Sequence, residues 1–81
     1  MRVNIYSLQK TFFEGEAVSV NCQTEAGEIT VLDRHAPLIS VLRPGTITVV
    51  DSTGKSHYIQ GNGGFLEFGA KNQAIAVIQE P

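Results

Sequence analysis

Asp33-Arg34-His35 is the one place in this chain where residue types resemble a catalytic set. A histidine can act as a general base, and an aspartate can orient its ring. Alternate residues of an extended chain share a face, so Asp33 and His35 can look the same way. The set lacks a nucleophile. No serine or cysteine stands beside it, and the lone Cys22 falls in an alternating stretch that reads as a buried strand face. His57 is the only other histidine, and two histidines give no metal-ligand spacing. A single cysteine can neither close an internal disulfide nor build a zinc site alone.

Gly61-Asn62-Gly63-Gly64 could be taken for a phosphate-cradling loop. Such a loop needs a following helix whose N-terminus faces the phosphate, and a Lys-Ser/Thr ending. Phe65-Leu66-Glu67-Phe68 follows instead and reads as a strand, so the glycines predict a bulge or tight corner. Glu14, Glu16, Glu25 and Glu28 form a loose acidic group that reads as solvated strand edges and turns. No catalytic residue, cofactor or metal is expected.

His35-Ala36-Pro37-Leu38 is different in kind. Pro37 removes a backbone donor and pushes Ala36 towards an extended conformation. Leu38 and Ile39 are adjacent. Either one of them points outward beside the rigid proline, as a docking point would, or both are buried by an irregular bend.

The elements that must hold this segment follow a period of two. Val3 and Ile5, then Val18, Val20 and Cys22, then Ile29 and Val31, then Ile47 and Val49 alternate with polar residues. Leu66 and Phe68 flank Glu67, and residues 74–78 are nearly all apolar, which predicts a strand buried on both faces. The runs are rich in β-branched residues, which suit a pleated surface. Turn signals separate them at Pro44-Gly45, Asp51-Ser52-Thr53-Gly54, the glycine cluster and Gly69-Ala70-Lys71-Asn72. Many short strands at this spacing predict an all-β sandwich or barrel with no substantial helix.

A chain of 81 residues predicts one domain, residues 1–81. Such a chain buries only about 60% of its unfolded surface, so its core must be efficient. Its 42% hydrophobic content suffices, and disorder is not expected. The net charge is −2 and the six Lys and Arg residues are scattered, which disfavours nucleic acid as a partner. No signal peptide or membrane-length apolar run is visible, which favours a reducing, cytoplasmic setting.

The chain resembles the N-terminal domain of the epsilon subunit of F-type ATP synthases, called delta in mitochondria. Phe13-Glu14-Gly15-Glu16-Ala17-Val18-Ser19-Val20 looks like an early strand of that family. Gly27-Glu28, Val31-Leu32 and His35-Ala36-Pro37-Leu38 follow in register, as do Leu42-Arg43-Pro44-Gly45 and Gly63-Gly64-Phe65-Leu66-Glu67. The resemblance implies a ten-stranded β-sandwich, a flattened barrel of short antiparallel strands. It implies a non-catalytic central-stalk (rotor) subunit that couples the gamma subunit to the c-ring for proton-driven ATP synthesis. By the same resemblance Glu28 and Ile29 would touch the c-ring, and His35, Leu38 and Ile39 would lie against gamma. The place implied is the cytoplasmic face of the bacterial inner membrane, with membrane association only through the complex.

The chain departs from that family at Asp33-Arg34, where members usually carry Pro-Gly before the histidine, and at Cys22-Gln23-Thr24, where another Pro-Gly is common. Many members continue into a C-terminal pair of helices that inhibits ATP hydrolysis and in some bacteria binds ATP. This chain ends at Pro81, so the short form without that helical hairpin is expected. The alternatives are a generic small β-barrel binding module for nucleic acid or protein, and a small hydrolase using His35.

Overall fold

The structure, a computed structural model, describes residues Met1–Pro81. It contains six strands and no helix: β1 (Arg2–Tyr6), β2 (Thr11–Thr24), β3 (Gly27–Leu32), β4 (Leu38–Asp51), β5 (Ser56–Gly69) and β6 (Gln73–Ile78). The all-β expectation holds, and the count of ten does not. The reason is continuity. Strands β2, β4 and β5 each run for 14 residues and pass from one layer to the other as single elements.

The layers follow from the register. The first contains the start of β4, the end of β5, then β6, β1 and the start of β2. The second contains β3, the end of β2, the end of β4 and the start of β5. Pairing of β1 with β2 closes the ring β1-β6-β5-β4-β2, leaving β3 as an added edge. The expectation of purely antiparallel strands also fails at one pair. β1 runs parallel to β6, because the first and last strands enter the same layer from the same end.

The two inner faces supply one core. Val3, Ile5, Val20, Val31, Val49 and Leu66 are its fully buried large side chains, with Phe68, Ile47, Ala74 and Ala76 around them. Cys22 and Thr24 are buried in the same cluster of strands, and burial pushes the Cys22 thiol up to about 11. Three details of the alternation differ from the sequence reading. A register shift between Ala17 and Ser19 places Ala17 inside and turns Val18 outward. Residues 74–78 are buried on one face only: Ala74, Ala76 and Ile78 point to the core, while Ile75 and Val77 are half-exposed on the outer face. Pro44-Gly45 is not a turn between strands but a bend inside β4, opposite Asn62 and Gly61 of β5.

The glycine cluster is the matching bend in β5, as the sequence predicts. Gly63 and Gly64 both take positive φ, 101° and 143°. At Gly64 a Cβ would overlap the carbonyl oxygen of Val77 on the neighbouring strand. Only a residue without a side chain lets β5 come this close to β6 while it turns from one layer into the other. Gly54, in the β4–β5 hairpin, has a φ of 91° but open space around it.

These two glycines therefore separate strain from collision. Gly54→Ala should cost about 1 kcal/mol of strain, and Gly64→Ala more, about 3 kcal/mol, because backbone must also move. Urea titrations of the two variants test this. Equal losses would show that the β5–β6 approach is not tight.

Candidate functional site

The His35–Ile39 segment follows the turn where β3 stops. The amide of His35 donates to the carbonyl oxygen of Leu32 at 3.0 Å, closing a turn around Asp33 and Arg34. Arg34 has a φ of 62°, and Asp33 does not share that sign. A positive φ at the third residue alone is the pattern of a type II turn, which favours Pro then Gly or Asn at the two central positions. Here both central positions carry charged side chains. Holding Arg34 in the left-handed region costs about 1–2 kcal/mol, and polar contacts around the turn offset it.

Those contacts converge on Asp33 and Asn72. Asp33 Oδ1 accepts from the Met1 α-ammonium at 2.8 Å and from Asn72 Nδ2 at 2.5 Å. Asn72 Oδ1 accepts from the Arg34 amide at 2.6 Å, and the Asn72 carbonyl oxygen accepts from the Arg2 amide at 3.1 Å. The α-ammonium also donates to the Ala17 carbonyl oxygen at 3.0 Å, continuing the β1–β2 ladder by one step. The hydrogen bond from the α-ammonium, then that from Asn72, hold the Asp33 carboxyl below its ordinary value.

Beyond the turn, the His35 ring stands edge-on to Phe68 with centroids 5.9 Å apart, and its Nδ1 donates to the Ala36 carbonyl oxygen at 2.6 Å. Both contacts orient the ring, and neither prepares it as a base. Asp33 faces the α-ammonium and Asn72, not the imidazole, so the catalytic set suggested by residue type does not form. Leu38 is half-buried and packs against the core, whereas Ile39 is 75% exposed. Of the two ways to place this pair, the structure has one residue in and one out.

Ile39 opens an apolar face that sequence reasoning did not assemble. Ladder partners place Val41, Phe65, Val77 and Tyr6 in one row across four strands. The neighbouring row contains Ile39, Glu67, Ile75 and Asn4. All point away from the core. Phe65 is 60% exposed, and a shallow depression runs between Tyr6, Ile39, Phe65, Ile75 and Val77. The signal was present in the sequence as the apolar residues on both phases of residues 74–78.

Glu28 and Ile29 lie elsewhere, at the hairpin end of β3, with the length of that strand between them and His35. Glu28 is exposed, and its Oε2 accepts from Asn21 Nδ2 at 3.0 Å. Ile29 is half-buried against the core, so the carboxylate is the more available of the two. The structure thus brings His35, Leu38 and Ile39 together and sets Glu28 and Ile29 apart from them.

One polar cluster was not foreseen. Asp51 Oδ1 accepts from Thr53 Oγ1 at 2.6 Å and from the amides of Thr53 and Lys55, while Oδ2 lies 2.7 Å from His57 Nε2. The Thr53 hydroxyl, then His57, hold the Asp51 carboxyl far below the usual carboxylate range. His57 also meets Phe13 edge-on at 5.0 Å. With both oxygens occupied, the carboxylate fastens the β4–β5 hairpin. No group of three or more His, Cys, Asp or Glu is placed so that it could hold a metal ion.

The family model for the ATP synthase delta/epsilon chain, β-sandwich domain, matches residues 1–79. The chain is 42% identical over 67 residues to the ATP synthase epsilon chain of Bordetella petrii, covering 83% of this chain and 48% of that one. It is 35% identical over 74 residues to the ATP synthase epsilon chain of Dichelobacter nodosus, covering 91% and 52%. The chain spans about half the length of the curated relatives it matches. Two solved structures have the same fold. A chain of the OSCP/F1/c-ring part of the Euglena gracilis mitochondrial ATP synthase aligns with a TM-score of 0.88 and 22% identity, over 96% of this chain and 49% of that one. A chain of the central stalk/c-ring of the Tetrahymena thermophila mitochondrial ATP synthase aligns with a TM-score of 0.82 and 15% identity, over 99% and 63%.

The two depressed carboxyls give stability a sign with pH. Folding lowers both pKa values below the ordinary 3.8. Their contribution is therefore fully present above that value and fades as pH falls through the folded-state values. The urea midpoint should hold between pH 6 and about pH 4 and drop as pH falls further. A protein carrying Asp33→Asn and Asp51→Asn should start lower at pH 6 and lose less on acidification. Equal losses in the two proteins would assign acid sensitivity to other groups.

Proposed function

The chain belongs to the ATP synthase delta/epsilon β-sandwich family, and from that membership we propose that it is a non-catalytic rotor subunit coupling gamma to the c-ring during proton-driven ATP synthesis. The observation that carries this reading is the apolar outer face of the first layer, continuous with the His35–Ile39 segment. Contiguous apolar surface on a small protein marks an interaction site. The occupant proposed for it is gamma. Relatives named ATP synthase epsilon chain, and the central-stalk and c-ring assemblies that contain the matching fold, support that choice.

The second contact proposed is Glu28 with the polar loops of the c-ring, Ile29 backing it from the core side. An exposed carboxylate at a hairpin end can accept hydrogen bonds or meet a cation, which sets register more than affinity. The two contacts would lie at opposite ends of β3. The closed core between them would let the domain pass torque as a stiff body. The place proposed is the cytoplasmic face of the bacterial inner membrane, reached through the complex; no helix of the structure is long and apolar enough to cross a membrane.

A nucleic-acid module would show exposed aromatics interleaved with cations. The exposed aromatics here face differently: Tyr58 lies opposite Thr48, and Phe65 lies between Val41 and Val77. Tyr6, also exposed, lies beside Val77 and Thr11, and none of the three has a cation as ladder partner.

Ile39→Asp should lower affinity for purified gamma about tenfold or more, the loss expected when an apolar side chain of roughly 1.5–3 kcal/mol burial value is replaced by a charge. Its urea midpoint should stay near that of the parent, because Ile39 touches solvent. Leu38→Asp would instead weaken the fold itself. Glu28→Ala should leave gamma binding unchanged and weaken attachment of the gamma-bound domain to the c-ring. Titration calorimetry with gamma decides the first point; unchanged affinity in a folded Ile39→Asp protein overturns the docking face.

A further inference from the structure

We propose that Asn72 is a positioning residue for the docking segment: its side chain holds the Asp33-Arg34 turn in the conformation that presents His35 and Ile39. The inference rests on the reading of that segment as a docking site, and it names how the site is set.

A turn with Asp and Arg at its centre has neither the preset φ of proline nor the freedom of glycine. Left to local preference, Arg34 would leave the left-handed region. Asn72 opposes this from another hairpin. Its Oδ1 binds the Arg34 amide at 2.6 Å and its Nδ2 binds Asp33 Oδ1 at 2.5 Å, so one amide group grips both central residues. The grip is itself anchored. Asn72 sits at a φ of 56° in the β5–β6 hairpin, a conformation asparagine tolerates better than most residues, and its carbonyl oxygen is tied to the Arg2 amide. The hairpin is also the one that sets Phe68, the ring partner of His35, opposite Ala74. The same hairpin thus fixes the turn on one side and the histidine on the other. Asn72 itself does not face the apolar rows.

The decisive variants are Asn72→Gly, which keeps the backbone conformation and removes the side chain, and Arg34→Gly, which removes the need for the grip. The readouts are amide hydrogen exchange and the ring-current shift of His35 against Phe68 in the isolated protein, and affinity for gamma. Asn72→Gly should raise exchange at the His35 amide about tenfold, shift the His35 ring resonances, and weaken gamma binding by a similar factor. Core amides such as Val20 and Ile47 should change little. Adding Arg34→Gly to Asn72→Gly should restore both His35 signals and binding. Unchanged His35 signals in Asn72→Gly overturn the inference, and so does failure of Arg34→Gly to restore them. Should Asn72→Gly not fold, Asn72→Asp, which loses the donor to Asp33, and its combination with Asp33→Asn, which returns one, give the same decision. If the His35 signals behave as expected while gamma affinity never moves, the positioning role stands and the docking reading fails.

Discussion

The fold depends on strands that belong to both layers at once. β2 illustrates the constraint. Its first half pairs with β1 and its second half with β3 and β4, so the strand that closes the ring also carries the second layer. A short chain gains from this economy, because loops between layers would add residues that bury nothing. The cost falls at the bends. β2 needs register shifts near Ala17 and between Asn21 and Thr24, β4 carries Pro44-Gly45, and β5 needs glycine at 63 and 64. Gly64 is the tightest of these, since a Cβ there would meet main chain and not a flexible side chain.

The shared strand creates a seam. β1 and β3 lie end to end along the same edge of β2, and between their two ladders Val18 has no strand partner. The α-ammonium of Met1 and the carboxylate of Asp33 meet there, one from the start of β1 and one just past the end of β3. An uncompensated donor at such a junction would be costly, because buried polar groups need partners. Asp33 supplies the partner, and Asn72 ties the pair to the β5–β6 hairpin. The charged turn that looked out of place in the sequence therefore belongs to the joint between two strands. The His35–Ile39 segment inherits its position from that joint.

How much of this could be read from residues alone differs by feature. The period-two runs located strands, because alternation is a local property of the chain. Where one strand ends is not. Pro44-Gly45 and the glycine cluster look like turns, yet they are bends inside long ladders, since β4 and β5 bend together and keep their partners. Val18 could not be placed, because a bulge shifts the phase of everything beyond it. An outward apolar residue beside Pro37 was legible in the adjacency of Leu38 and Ile39. The partners of Asp33 were not: Asn72 is 39 residues away, and only the fold brings it close. The same holds for the rows through Tyr6, Phe65 and Val77, which join four strands that no local pattern connects.

The two outer faces bear on what those rows are for. A small protein cannot hide all its apolar surface, and scattered exposed residues need no explanation. Scatter would leave such residues apart among polar ones, and the outer face of the second layer is of that kind: exposed Tyr58 and Leu32 stand among Ser19, Asn21, Thr30, Thr48, Thr46 and Gln60, several of which hydrogen-bond to one another. The first layer carries Val41, Phe65, Val77, Tyr6, Ile39 and Ile75 in adjoining rows. β6 concentrates the difference. It lies between β1 and β5, is apolar on both faces, and has small alanines at two inner positions with Ile75 and Val77 outside. A strand meant to face water on one side would alternate with polar residues there. Its outward apolar residues fit the proposed docking of a partner protein on that face. The Asp33 joint lies at the edge of this layer, so the rigid turn and the apolar rows would meet a single partner together.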